Sequence, residues 1–205
     1  MSLNLIDHLA RLNDCVFALV MAITFMGFNL PETIKSMANI EINHFLIEQL
    51  KSLGIYITTF ILVAFYWISH IQQFSYYKKT NEIHLIIHTL YLMCLFVIPF
   101  SNELILTISN NVFVKVWFSV NICLIGFLSF ISWVYATNKH RLVDENLDRQ
   151  IILLVKAKAL IEPCCALISI PIAIISPDFS DLVWFLIPVT SAIVDKAFKV
   201  NSGAM

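Results

Sequence analysis

The chain has 205 residues, of which 59% are hydrophobic and only 13% are charged, and its formal net charge is -1. A mean hydropathy of +0.82 lies far outside the range of soluble globular domains and predicts an integral membrane protein. The nearly balanced charge offers no basic surface for nucleic acid, so we expect no nucleic-acid partner.

Continuous apolar runs follow one another along the chain, separated by more polar connections. They lie at residues 12–30, 53–71, 85–98, 112–135, 159–175 and 182–194. Continuous rather than alternating runs indicate helices, because an isolated helix satisfies its own backbone hydrogen bonds in lipid. One span needs about 20 residues. The sequence therefore predicts an all-α, polytopic membrane protein, with residues 1–205 forming a single six-helix transmembrane domain.

Basic residues are concentrated in alternate connections between these runs. The second and fourth connections carry Lys78, Lys79, Lys139, Arg141 and Arg149, whereas the third and fifth carry only acidic charge. By the positive-inside rule, the even connections and both termini are predicted to be cytoplasmic. Such a multi-pass topology is self-consistent for six spans.

An ionisable residue lies near the start of the first run. Asp14 has no basic residue within that run, and a carboxylate at such depth is costly unless it is paired or hydrated. We predict a polar network that joins it to His8, Arg11, Asn13 or groups from another helix. The alternative is an interfacial position at which the carboxylate reaches water.

The first run also has an apolar stripe. At about 100° per residue, with Asp14 at zero, four apolar side chains fall between about 120° and 180°. They are Leu19, Ile23, Met26 and Leu30. Periodicity alone leaves open whether this stripe meets lipid, a neighbouring helix or a pore.

Three histidines and one glutamate are further candidates. Trp67, His70 and Phe74 share a face of the second run, as a polar site or an interfacial aromatic belt would require. His84 and His88 have the i, i+4 spacing of a metal chelate, but no carboxylate shares their face, so we expect no metal. Glu162 precedes Pro163, where a structural kink is expected. All five cysteines lie in apolar runs without metal-binding spacing.

Short motifs occur in or next to each of the six runs. They are Asp14-Cys15-Val16-Phe17-Ala18, Trp67 with His70 and Phe74, Pro99-Phe100, Trp133 with Tyr135 and Ala136, Ile175-Ser176-Pro177, and Trp184 with Leu186-Ile187-Pro188. In order and spacing they resemble the transmembrane-protein-175 family, the potassium channels of endosomes and lysosomes and their single-repeat bacterial relatives. The family opens its first helix with an arginine, three residues and Phe-Ser-Asp, where this chain has His8 and then Leu12-Asn13-Asp14.

The resemblance implies a potassium-permeable cation channel in a bacterial plasma membrane. Four copies of the chain would form a homotetramer whose first helices line a central pore. The family's apolar constriction falls on Leu19, with further layers at Ile23 and Met26 and with Leu30 on the same stripe. Ala22 stands where many bacterial members have a threonine, which predicts weaker potassium selectivity. Trp67 and His70 join the network around Asp14. No cofactor is expected beyond the permeant monovalent cation.

Other classes of function remain open from the residues alone. A proton-conducting or proton-coupled transporter would use Asp14, His70 or Glu162 as relay groups. An intramembrane enzyme would need a nucleophile and a base at recognisable spacing, which the sequence lacks, so we predict that the protein is not an enzyme. A purely structural membrane protein is the remaining alternative.

Overall fold

The computed structural model describes residues 5–26, 34, 37–108 and 111–202, which are mainly helical. The described helices are α1 Leu5–Thr24, α2 Asn39–Phe74, α3 Glu82–Thr107, α4 Val112–Thr137, α5 Arg149–Ile175, α6 Pro177–Ser180 and α7 Leu186–Ser202. Short 3-10 turns at Asn138–His140 and Asp181–Phe185 follow α4 and precede α7. The prediction of an all-α fold is confirmed.

The first two helices begin well before the predicted limits, because hydrophobic runs do not mark polar helical turns. α1 begins at Leu5 rather than at residue 12, with Asp7 in its first turn, where the helix dipole favours a carboxylate. α2 begins at Asn39, so the end of the predicted first connection is helical. There the Glu41 carboxylate accepts the Ala38 amide at 2.9 Å. The last residues of the first predicted run, 27–30, lie outside the described residues.

Later helices differ from the prediction for similar reasons. α3 continues through Pro99 to Thr107 instead of ending at residue 98, as membrane helices tolerate proline. α5 begins ten residues before the predicted start, and the Asp148 side chain caps it by accepting the Gln150 amide at 2.9 Å. The sixth predicted run is divided between a 3-10 turn and α7.

Three of the described helices, α2, α3 and α4, are long and apolar enough to cross a membrane. α1 contains the charged residues Asp7, Arg11 and Asp14, and α7 has only 17 residues. Composition and length thus support three crossing helices in the described residues, and the predicted number of six stays a prediction. With its 36 residues, α2 extends about 54 Å at 1.5 Å per residue, well beyond the roughly 30 Å hydrocarbon core.

The core of the bundle is packed around α3, α4 and α5. Side chains of Leu95, Ile122 and Ile125 are fully buried there. Gly126 permits the closest approach, because a Cβ atom at this position would lie 2.5 Å from Cδ of Pro163 on α5. Pro163, which was predicted to kink α5, therefore packs directly against Gly126 of α4.

The ends of the bundle differ in charge. At one end, the second and fourth connections touch: the Lys78 amide donates to the Leu142 carbonyl at 2.9 Å, and Tyr77 forms an isolated bridge with Val143. The basic residues of both connections therefore lie at the same end. At the opposite end, Lys115 at the start of α4 forms an ion pair with Asp181 at 2.6 Å.

Candidate functional site

α1 is held in the bundle by one of its faces. Its buried residues are Leu9, Asn13, Val16, Phe17, Val20 and Thr24. They recur at helical spacing, so they share one face, which packs on α2 and α3. The Phe17 ring lies 5.5 Å from the His70 ring of α2 and 6.3 Å from the Tyr91 ring of α3, centroid to centroid.

The remaining face of α1, called the outward face below, carries the predicted pore-lining residues. It consists of His8, Arg11, Leu12, Asp14, Cys15, Ala18, Leu19, Ala22, Ile23 and Met26, with Leu5 and Asp7 at its start. Leu19 is 51% exposed, Ile23 37% and Met26 70%. Leu30, the fourth member of the predicted stripe, lies outside the described residues. In a single copy of the chain, the outward face is covered by no described element.

Charged and apolar residues divide the outward face between them. With Asp14 at zero and about 100° per residue, Asp7 and Arg11 lie near 20° and 60°, and Leu19 and Ile23 near 140° and 180°. Both groups are exposed. Carboxylates and a guanidinium turned toward lipid would be expensive. The outward face is therefore better suited to water or to another protein surface than to hydrocarbon.

Asp14 is anchored to α2. Its carboxylate accepts a hydrogen bond from the Trp67 indole at 2.9 Å. Of the residues predicted to form the polar network, Asp14 and Trp67 are thus in contact, and their bond joins α1 to α2. His8 and Arg11 are exposed on the outward face, and Asn13 is buried on the opposite side of α1. Within the described residues, no hydrogen bond joins Asp14 to these three, and the Asn13 amide has no partner.

His70 lies beside this anchor but does not bond to Asp14 in the described structure. It is only 5% exposed, and its ring stacks on Phe74 at 4.3 Å and on Tyr91 at 5.5 Å. It also shares a groove between α1 and α2, about 300 Å³ in volume, with Asp7 and Asp14. The structure thus places His70 behind α1, in contact with the residues that hold this helix.

A hydrogen-bonded cluster that was not predicted from the sequence lies behind His70. Nε2 of His88 lies 3.1 Å from Nε2 of His84 and 3.1 Å from Oγ of Ser132 on α4. Oγ of Ser132 lies 3.1 Å from the Tyr77 hydroxyl, which accepts from Gln73 at 2.6 Å. Burial raises the pKa of this tyrosine, so its hydroxyl remains protonated.

The cluster ties α2, α3 and α4 together. The i, i+4 histidine spacing was its one visible signal. Ser132 offers no such signal, because its partners Tyr77 and His88 are distant in sequence. Gln73 lies four residues before Tyr77, but its second partner, Ser129, is 56 residues away. In the part of the chain that the structure describes, no group of three or more histidine, cysteine or carboxylate side chains could hold a metal.

Comparison with known proteins links the first half of the chain to one protein family. The model of the endosomal/lysosomal potassium channel TMEM175 family matches residues 8–99, which include most of α1, all of α2 and most of α3. The resemblance to the TMEM175 family is confirmed. No curated protein matches the sequence significantly.

Solved structures extend the TMEM175 likeness to the whole fold. A lysosomal potassium-selective channel TMEM175 homolog from Chamaesiphon Minutus is 18% identical, with a TM-score of 0.77 over 92% of this chain and 96% of that one. A threonine-to-alanine variant of the potassium channel MtTMEM175, in complex with a Nanobody-MBP fusion protein, is 16% identical. Its TM-score is 0.60 over 100% of this chain and 95% of that one. The chain therefore has the TMEM175 homologue fold.

Proposed function

We propose that the chain is one subunit of a homotetrameric, potassium-permeable cation channel in a bacterial plasma membrane. The outward face of α1 is the observation that carries the proposal. In one copy, no element of the described residues covers it. It carries charges unsuited to lipid and belongs to a helix whose other side is packed against the bundle. Four such faces around an axis would enclose a pore. The structures with the same fold are described as potassium channels.

The constriction in this proposal is a ring of four Leu19 side chains. Branched hydrocarbon offers a passing ion nothing to replace its hydration shell, so a narrow ring excludes water and blocks conduction, and a modest widening restores it. Ile23 and Met26 supply further apolar layers. Asp14 lies off this stripe, where its bond to Trp67 fixes the rotation of α1 about its own axis. Such a pore would discriminate weakly between potassium and other monovalent cations, because Ala22 offers no hydroxyl group to the ion.

Six membrane crossings with cytoplasmic termini complete the proposal. The basic residues of the second and fourth connections support it, because they lie together at one end of the bundle. In a variant without the native cysteines, Asn146→Cys should react with an impermeant thiol reagent only from the cytoplasm. Phe179→Cys, at a position 64% exposed at the other end, should react only from outside. Labelling of both from one side would exclude six crossings.

The ion-channel function is tested in liposomes that contain the purified protein. Potassium and sodium gradients should produce reversal potentials of a cation-selective pore, and chemical cross-linking should yield a species of four subunits. Anion-selective currents, or a dimer as the largest species, would contradict the proposal. A flux that requires a proton gradient would favour the proton-coupled transporter instead.

A further inference from the structure

A crevice opens along the side of α2 at the end of the bundle opposite the basic connections. Its outer part is a cavity of about 180 Å³ that extends from Gly54 to Trp184 of the 3-10 turn before α7. A second cavity of about 50 Å³ continues it toward Phe65 and Pro188. Thr58 and Trp184 line both cavities, so the two form one continuous crevice.

Polarity falls from one end of the crevice to the other. Asp181 lines the outer cavity, where both of its carboxylate oxygens accept hydrogen bonds from Lys115, at 2.8 and 2.6 Å. The inner cavity is bounded by hydrocarbon and aromatic side chains such as Phe65 and Trp184. This order, charge first and hydrocarbon beyond, is the order of headgroup and acyl chain in one leaflet of a bilayer.

The length of the crevice fits one leaflet. Gly54 and Phe65 are eleven residues apart on α2, which is about 16 Å at 1.5 Å per residue. This is about half of the roughly 30 Å hydrocarbon core. A crevice with the Lys115–Asp181 pair at headgroup level would therefore end near the middle of the membrane.

The surface around the crevice indicates what covers it. Ile57, Phe60 and Ile61 of α2 are 45%, 38% and 48% exposed beside it, and α2 is apolar and long enough to cross a membrane. The same solvent must cover these side chains and the open crevice. A Cβ atom at Gly54 would meet no atom within 4 Å, so the missing side chain leaves the outer cavity open.

We propose that this crevice holds one acyl chain of a bilayer phospholipid, from the leaflet opposite the basic connections. The chain lies along α2 between Gly54 and Phe65 and fills the gap in front of Trp184. The proposal requires only that α2 crosses the bilayer. Its failure would leave the pore unaffected, and a failed pore would leave the crevice intact.

Tryptophan fluorescence tests the proposal in vesicles of phosphatidylcholine whose acyl chains carry bromine, a short-range quencher. Trp184 contributes the difference between the wild-type protein and Trp184→Phe, a variant that keeps a ring against Phe118. We expect strong quenching of this Trp184 component by the brominated chains. Gly54→Phe, at a position where an added Cβ atom meets nothing within 4 Å, should fill the outer cavity, and the quenching of the Trp184 component should be lost.

Two further variants make the result decisive. Thr58→Phe fills the crevice where its two cavities meet and should also remove the quenching, which guards against misfolding of one variant. Ile57→Phe places the same ring on the exposed side of α2 outside the crevice and should leave the quenching unchanged. An unquenched Trp184 in the wild-type protein would overturn the proposal. So would quenching that persists in both filled variants, since it would then come from lipid around the protein.

Discussion

The outward face of α1 and the exposed side of α4 are similarly exposed but chemically different. On α4 the exposed residues within the helix are all apolar: Val112, Phe113, Trp117, Val120, Leu124 and Phe127. The polar residues Lys115, Ser119 and Asn121 are turned inward and buried. On α1 the exposed face mixes Leu19 and Ile23 with charged residues, as described above. An exposed leucine alone does not distinguish lipid from a pore, whereas the charges that share its face do.

The largest difference between the two faces should appear when a charge is added. Leu124→Lys places an ammonium group at the middle of α4, where lipid contact costs roughly 3 kcal/mol. Ala18→Lys, one turn after Asp14 on the charged side of the outward face, gains a carboxylate at i−4, so its cost should stay below about 1 kcal/mol. Thermal stability and the yield of membrane-inserted protein report both effects. Equal losses in the two variants would mean that α1 also faces lipid.

A smaller effect is expected for the bond that orients α1. Asp14→Ala removes an acceptor that is exposed in one copy, so the loss should be about 1 kcal/mol rather than the several expected for a buried charge. Trp67→Phe keeps a ring but removes the donor, and the double variant should lose little more than either single one. The tetramer's thermal stability measures each loss. Fully additive losses would show that the two groups act independently.

Native cysteines offer the mildest test of the comparison. Cys15 lies on the outward face of α1, and Cys164 is exposed among apolar residues of α5. A charged, water-soluble thiol reagent reacts with the thiolate, which forms in water and not in hydrocarbon. We expect modification of Cys15 and reduced ion flux, with Cys164 unreacted. Flux that is still inhibited in Cys15→Ser would point to another thiol, and modification of Cys164 alone would reverse the assignment of the two faces.

Much of the fold followed from hydrophobic runs, but the helix limits did not. Runs of apolar residues located the six long helices of the described residues, because each must bury or present hydrocarbon along its middle. They missed the start of α2 at Asn39 and of α5 at Arg149, where polar turns are helical. Such turns are fixed by caps, such as Asp148 on the Gln150 amide, that contribute nothing to hydropathy.

The candidate site shows the same division. Helical spacing placed Leu19, Ile23 and Met26 on one face, since this depends on a single helix. The partner of Asp14, Trp67 on α2, is 53 residues away in sequence and was expected only through the family resemblance. The contact of His88 with Ser132 joins residues 44 apart. Spacing within one helix contains no information on such pairs. Asn13, expected in the same network as Asp14, lies on the buried face of α1, because consecutive residues are about 100° apart and this step leaves the outward face.

Ion flux through proteoliposomes of Leu19→Ala tests the central claim most directly. Leu124→Ala is the matched control, since its leucine is 47% exposed on α4, compared with 51% for Leu19. Phe25→Ala is the second, as Phe25 stacks on Tyr56 at 5.8 Å and should alter packing instead. If four Leu19 side chains form the constriction, Leu19→Ala raises cation flux and weakens discrimination between potassium and sodium, and both controls leave permeation near the wild-type level. Unchanged flux in Leu19→Ala, together with altered flux in Leu124→Ala, would contradict the account.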